Sequence, residues 1–421
     1  MSAWPIRFVH ASDFHLELPL FGVAQVPSHL RDAFFEAPYL AAERVFDTVL
    51  AENARFLVLS GDIINAPAAG ARGVLFLLEQ FRRLEERGIE VYWAGGRVDP
   101  ASGWPPATPL PDNVHVFSPN GPEHFVHRHN GETVALLVGQ GRGRSGLIPA
   151  QELAELEAGC GSGLYSIAVA HGHQKQPVLQ NSAFNYWALG GHHDRTTLFS
   201  SPVVAHYPGS PQGREPQETG THGCTVVEVD ERGTSRLSHV ATDLLRWQSE
   251  RLMLGSDWTK ATLLKRITNR AEHLRDGSGN VDQLVEWALV GEGSLVRELA
   301  AGDETRQLNE QLREKFGHEH PVVWSLAVDV EATQALPSTW FEEETLRGEY
   351  VRQVQALHED VTDSLDLTPY IPDRYAETAI GEALELAIGE QRERVLHRAA
   401  ALGAELLTGE AETMALPATS D

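Results

Sequence analysis

The sequence predicts a mixed α/β protein, with a parallel α/β unit that becomes strand-rich, a smaller α/β region, and a helical C-terminal part. Three observations carry this. Short apolar runs alternate with helical periodicity over the first hundred residues. Short turn-bounded strands with few helices between them continue to about residue 242. Beyond that point helical stretches surround two longer strand-like pieces.

Taken in order, IRFVHAS (6–12) reads as a buried strand. Residues 40–53 place Ala42, Val45, Phe46, Val49 and Leu50 on one helical face, and FLVLS (56–60) is a second strand. A helix over 72–87 (Val74, Leu75, Leu78, Phe81, Leu84) leads to a third strand, EVYWA (90–94). Further strands are expected at 114–117, 133–138, 165–170, 186–189, 202–205, 224–229 and 235–240. Helices are expected at 258–275 and 294–315, and QLVEWALVG (283–291) and PVVWSLAVDVE (321–331) are expected to pair in a small sheet. A long helix from about 376 to 407 carries a stripe through Ile380, Leu384, Ile388, Val395, Leu402 and Leu406. The domains expected are 1–242, 243–340 and an acidic, mainly helical 341–421.

The net charge is −25, from 34 basic and 59 acidic residues. Phosphate neutralisation supplies most non-specific affinity for DNA, so this balance argues against a chain that grips DNA alone. Residues 341–421 hold 18 Asp and Glu against 6 Arg, a net of −12. The N-terminal segment runs into a strand instead of a leader pattern, and no apolar run reaches the roughly 18–20 residues of a membrane span. Two cysteines, Cys160 and Cys224, are too few for a disulfide framework or a cysteine zinc site, and fit a reducing cytoplasm.

Chemistry collects at the strand ends. Asp13 and His15 follow the first strand; at i and i+2 of extended chain they point the same way. Gly61-Asp62 follows the second, His171 ends the strand at 165–170, and His192 and His193 follow 186–189. Ligands gather at the carboxyl ends of parallel strands. Each residue alone has a plain alternative, such as a helix cap for Asp13 or a satisfied buried polar group for His171. In this order, at successive strand ends, they point to a divalent metal. Oxygen and imidazole together suit Mn²⁺, Fe²⁺ or Zn²⁺, and a carboxylate such as Asp62 can bridge two ions in phosphate-ester hydrolysis. GQGRGRSG (139–146) reads as a loop in which Arg142 or Arg144 can meet phosphate, and His173 is a candidate support for the ligands.

DFH (13–15), GD at 61–62 with Asn65 beyond, YWALGGHHD (186–194) and YPGSPQGREPQETGTHGCTVVEVD (207–230) resemble the calcineurin-like metallophosphoesterases. They are most similar to the SbcD-like exonuclease subunits of bacterial DNA-break repair. LVEWALVG (284–291) and EETLRGEYV (343–351) resemble the cap region of such nucleases. The resemblance implies a four-layer β-sandwich flanked by helices, followed by a small α/β cap and a helical C-terminal region. It implies metals at the strand ends, Mn²⁺ foremost.

Carried over by position, the resemblance makes Asp13, His15, Asp62 and His193 the ligands of one metal, and Asp62 and His171 the survivors of a second set. The chain departs from the family in two motifs. In YWAGGRVDP (92–100), Gly96 and Asp99 match, but Arg97 stands for the metal-binding Asn and Val98 for the general-acid His. Valine has no proton to give, and arginine carries a fixed positive charge that cannot coordinate a cation. In ALGGHHD, Gly191 stands for the first His of Gly-His-x-His, leaving His192 as a compensating ligand only if the loop shifts. An inward Arg97 guanidinium would stand in for the second ion beside Asp62.

The expected function is an SbcD-like metallophosphoesterase subunit with one metal retained and impaired phosphodiester hydrolysis. The alternative is an active DNA exonuclease using a rebuilt or single-metal site. An SMC-type ATPase is the partner the family implies, with DNA met through the complex and a homodimer as the family's usual assembly.

Overall fold

A computed structural model describes residues 5–23, 26–141, 164–172, 179–180, 183–291, 293–301, 303–332, 338–359, 365–370, 372 and scattered positions between 385 and 407. They divide into two compact units. One comprises residues 1–289 and 298–330, the other 290–297 and 331–421.

The first unit is built on two six-stranded sheets. In the first, β1 (Ile6–Ala11), β2 (Phe56–Leu59), β3 (Glu90–Trp93) and β4 (Val114–Val116) run parallel. β11 (Gly223–Val229) and β12 (Ser235–Ala241) extend it antiparallel beyond β1. The second has the order β5 (Glu123–His129), β6 (Glu132–Gly139), β7 (Tyr165–His171), β8 (Tyr186–Gly190), β10 (Val204–Tyr207) and β9 (Thr196–Ser200). β6, β7, β8 and β10 run parallel. Both edge strands are antiparallel.

Strand alternation separates two cores. Ile6 and Phe8 of β1, Phe56 and Val58 of β2 and Tyr92 of β3 meet Leu137, Ile167, Tyr186 and Ala188 of the second sheet. The rings of Phe8 and Phe56 stack with centroids 5.0 Å apart. The intervening residues Val9, Ala11, Leu57, Leu59, Val91 and Trp93 turn to the other face. There they pack on α1 (Arg31–Ala51) and α2 (Ala66–Glu85) through Val45, Phe46, Val49, Leu77 and Phe81. Each such buried side chain contributes about 1.5–3 kcal/mol. The expected sandwich flanked by helices is therefore present.

Both helices begin earlier than expected. α1 runs through Pro38, which is buried in its core face and does not stop it. α2 starts at an Asn65 cap that accepts from the Ala68 amide, and bends at Gly70 (φ 64°) before the periodic stretch. In this unit three strands were not expected, β5, β9 and β13 (Leu245–Met253); they alternate more and less exposed residues and carry histidine, threonine and charge. β13, β14 (Asp282–Gly291) and β15 (Val323–Ala332) form the expected small sheet, with α3 (Lys260–Gly277). The expected helix at 294–315 is two, α4 (Ser294–Ala301) and α5 (Glu304–Phe316).

The second unit contains α6 (Ser338–Phe341), α7 (Leu346–Glu359) and a two-stranded ladder of β16 (Leu365–Asp366) with β17 (Glu385–Leu386). β17 interrupts the helix expected over 376–407; most of the rest of that span lies outside the described residues. Cys160, Arg142, Arg144 and His173 also lie outside them.

Candidate metal centre

The candidate side chains meet at the carboxyl ends of both sheets. Asp13 and His15 follow β1, Asp62 follows β2, His171 closes β7 and His193 follows β8. Potential ligand atoms of Asp13, His15 and His193 lie within 4.8 Å of one another, as do those of Asp13, Asp62 and His171. Asp13 belongs to both groups.

The backbone is bent to make this meeting. Asp13 (φ 57°), His15 (φ 45°) and Asp62 (φ 55°) are left-handed, a conformation that costs a non-glycine residue of order 1 kcal/mol or more. Two bonds tie the loops together, from the Asp13 amide to the Gly61 carbonyl and from the His15 amide to the Asp62 carbonyl, both 3.0 Å. Asp99 clamps the second loop. Its buried carboxylate accepts from the amides of Asp62 (2.8 Å), Ile63 (3.0 Å) and Gly96 (2.6 Å) and from the Trp93 indole (2.8 Å). Burial and the neighbouring Asp62 charge push the Asp99 carboxyl up to about 7, against the pull of these four donors.

Each histidine is held through Nδ1, and the Nε2 atoms of His15 and His171 face the neighbouring carboxylate Asp62. His15 Nδ1 bonds Glu17 (3.1 Å), His193 Nδ1 bonds Glu218 (2.5 Å), and His171 Nδ1 bonds the Ser60 carbonyl (2.8 Å). A carboxylate or carbonyl behind an imidazole fixes its tautomer and raises its basicity as a ligand. His171 Nε2 lies 3.2 Å from Asp62. Burial opposes charge on both, yet this pairing raises the His171 pKa and holds the Asp62 carboxyl well below its usual range. Burial likewise works against the His193–Glu218 pair. Their hydrogen bond wins, raising His193 and lowering Glu218 to about 2.

Two backbone amides occupy carboxylate lone pairs. Gly191 N–H donates to both Asp13 oxygens at 3.0 and 3.1 Å, and Val98 N–H donates to Asp62 Oδ1 at 2.9 Å. Gly191 is left-handed (φ 89°), and a Cβ there would lie 3.1 Å from His171 Nε2. The glycine at the family's histidine position is thus built into the local backbone.

Arg97 is exposed, and no ion pair joins it to Asp62 among the described residues. The expected arginine surrogate for a second ion is therefore corrected. Asp62 faces the Val98 amide instead, because the turn aims the Arg97 side chain outward. His192 is also exposed, its ring 5.6 Å from Tyr207, and it belongs to neither ligand group. Val98 contributes its amide only.

The donor set fits a divalent cation. His15 Nε2 is buried and has no hydrogen-bond partner among the described residues. It lies 3.7 Å from Asp62 Oδ2. A buried imidazole lone pair without a donor, beside the buried carboxylates Asp13 and Asp62, calls for a cation.

No family model matches the chain. It is 29% identical over 338 residues to the uncharacterized metallophosphoesterase YhaO of Bacillus subtilis (strain 168), covering 77% of this chain and 82% of that protein. The chain is thus similar to a metallophosphoesterase over most of its length. A putative 5′-nucleotidase from Staphylococcus aureus, in complex with alpha-ketoglutarate, matches at 13% identity over 65% of this chain and 59% of its own, TM-score 0.38. A dimetal phosphatase from Danio rerio matches at 12% identity over 56% and 99%, TM-score 0.36. Similarity at that level says nothing about chemistry.

In the cluster, three supporting residues escaped the sequence: Glu17, Glu218 and Arg214. Arg214 is buried, with Nη2 at 3.0 and 3.2 Å from the two ring nitrogens of His193 and 3.5 Å from Glu218. Glu17 had a signal, since it continues the i, i+2 spacing of Asp13 and His15 in the sequence. Glu218 and Arg214 lie 25 and 21 residues from His193, and no short spacing reveals them. Among the described residues no helix is long and apolar enough to cross a membrane.

Proposed function

We propose that the chain is an SbcD-like phosphodiesterase subunit that holds one Mn²⁺ on Asp13, His15, Asp62 and His193 and hydrolyses phosphodiesters poorly. The carrying observation is the buried, partnerless His15 Nε2 within the ligand group that includes Asp13 and His193. A bound divalent cation would polarise a phosphate ester for attack by water. The chain's own residues do the positioning. Glu17 and Glu218 orient two imidazoles, Asp99 holds the Asp62 loop, and the Val98 and Gly191 amides fix the two carboxylates.

Two features favour weak turnover. Val98 brings no titratable group to the general-acid position, and neither Arg97 nor His192 enters the cluster. A second reading, an active enzyme with two ions, is favoured by one observation: Asp13, Asp62 and His171 also converge. The acidic balance of the chain supports DNA contact through a partner, an SMC-type ATPase in the cytoplasm by the sequence resemblance.

The test is calorimetric titration of the metal-free chain with Mn²⁺, paired with hydrolysis of bis(p-nitrophenyl) phosphate. One ion per chain with turnover at least a hundredfold below a two-metal phosphodiesterase is expected. Two tightly bound ions with rapid turnover would replace this proposal by the second reading. No bound ion would overturn both.

A further inference from the structure

We infer that the cavity at the strand ends beside Asp62 is a nucleobase site. This rests on the proposed phosphodiester chemistry and deepens it. The cavity, about 350 Å³, opens at the carboxyl ends of β3 and β4, the same sheet edge that carries Asp62. Asp99 joins the two places, since its carboxylate receives the Asp62 amide and its side chain lines the cavity wall.

The lining states what fits. Trp93 and Trp104 lie edge to face with centroids 6.0 Å apart, and Leu110 and Phe117 complete the apolar walls. Both indole N–H groups are already committed, Trp93 to Asp99 (2.8 Å) and Trp104 to the Thr108 carbonyl (2.6 Å). Trp93 is buried, so the half-buried Trp104 offers the indole surface for stacking, and neither ring offers a donor. Among the described residues the acidic lining side chains are Asp99, whose oxygens are taken by three amides and the Trp93 indole, and Glu123, and no cationic side chain lines the cavity to receive a phosphate. Glu123 accepts the Ser118 amide through Oε2 at 3.0 Å, and its Oε1 remains an acceptor. A neutral, planar ring bearing an exocyclic amine satisfies this combination: stacking on indole and donation to a carboxylate. Cavities of this size take small planar ligands.

The arrangement also couples the two places. An occupant resting on Trp104 packs on the ring that meets Trp93 edge to face; the Trp93 indole bonds Asp99, and Asp99 holds the loop of Asp62.

The experiment is equilibrium dialysis of adenosine against the full chain in EDTA, so that neither a phosphate nor a metal contributes. Saturable binding is expected. Trp104→Leu and, as a cavity-filling variant that keeps the walls apolar, Leu110→Phe should each weaken it at least tenfold with unchanged circular dichroism. Absence of saturable binding, or binding that both variants leave intact, would overturn the site. Mn²⁺ titration of the same samples separates the two ideas. Mn²⁺ binding without adenosine binding removes the base site alone. Adenosine binding without Mn²⁺ binding removes the proposed hydrolysis and keeps the base site.

Discussion

At the scale of the residue, the centre depends on what stands behind each ligand. His15 and His193 both lean on carboxylates, Glu17 and Glu218, that themselves accept backbone amides, from Asn65 (2.9 Å) and Arg214 (2.7 Å). Losing such a partner typically costs 10- to 100-fold in metal affinity, because the imidazole loses both its orientation and its fixed tautomer. Glu17→Gln and Glu218→Gln are therefore expected to weaken Mn²⁺ binding by about ten- to a hundredfold with little change in stoichiometry, read by calorimetry. Equal affinity in both variants would mean that the imidazoles are not the ligands. The ligands were legible in the sequence because each lies at, or within four residues of, the carboxyl end of a largely apolar strand. Their supports were harder to read: Glu17 continues the spacing two residues beyond His15 but carboxylates are common, and Glu218 is brought close only by the fold. The direction of Arg97 was not legible either. A sequence records its charge and position, but the turn decides where it points.

At the scale of the element, legibility followed burial. β2, β7 and β8 are buried along their whole length and stood out as apolar runs. β5 and β9 are sheet edges, half exposed, and their polar alternation looked like loop. The two sheets also enclose polar groups that no local pattern announces. His127 lies between them bonded to the Tyr92 hydroxyl (3.0 Å), and His206 bridges Thr197 (2.9 Å) and Thr225 (2.8 Å). Burial, aided by neighbouring cationic groups, lowers His127 to about 4 and His206 to about 3. Both are therefore neutral in the fold and would take a proton on unfolding once the pH drops below the ordinary histidine value of about 6.5. Their contribution is complete above that pH and is lost as the pH falls towards 4 and 3. Each pH unit in the window costs at most about 1.4 kcal/mol per histidine. Urea midpoints in EDTA should fall steeply from pH 6.5 to 4.5, and His127→Gln should flatten the slope. A His127→Gln slope as steep as that of the parent chain would show that His127 does not carry this dependence.

At the scale of the whole molecule, the cluster concentrates negative charge in a chain already at −25. Asp13 and Asp62 are buried within it; the histidines facing Asp62 carry charge only when protonated, and the fixed charge of Arg214 is paired with Glu218. A divalent ion that binds this arrangement has no comparable site in the unfolded chain, where the ligands are spread from residue 13 to residue 193. Binding then stabilises the fold by mass action, about 2.7 kcal/mol at a free metal concentration a hundred times the dissociation constant. For the unit of residues 1–289 and 298–330 this is a rise of a few degrees in its melting temperature. The expected result is that Mn²⁺ raises the transition of that unit relative to EDTA, and that Asp13→Asn abolishes the rise. Asp13 is the decisive position because it belongs to both ligand groups. Loss of a ligand found in only one group would leave the other three-residue set to hold an ion. An Asp13→Asn chain that still melts higher with Mn²⁺ by the same margin would place the ion elsewhere, and the strand-end cluster would then be a strained, purely structural meeting of polar groups.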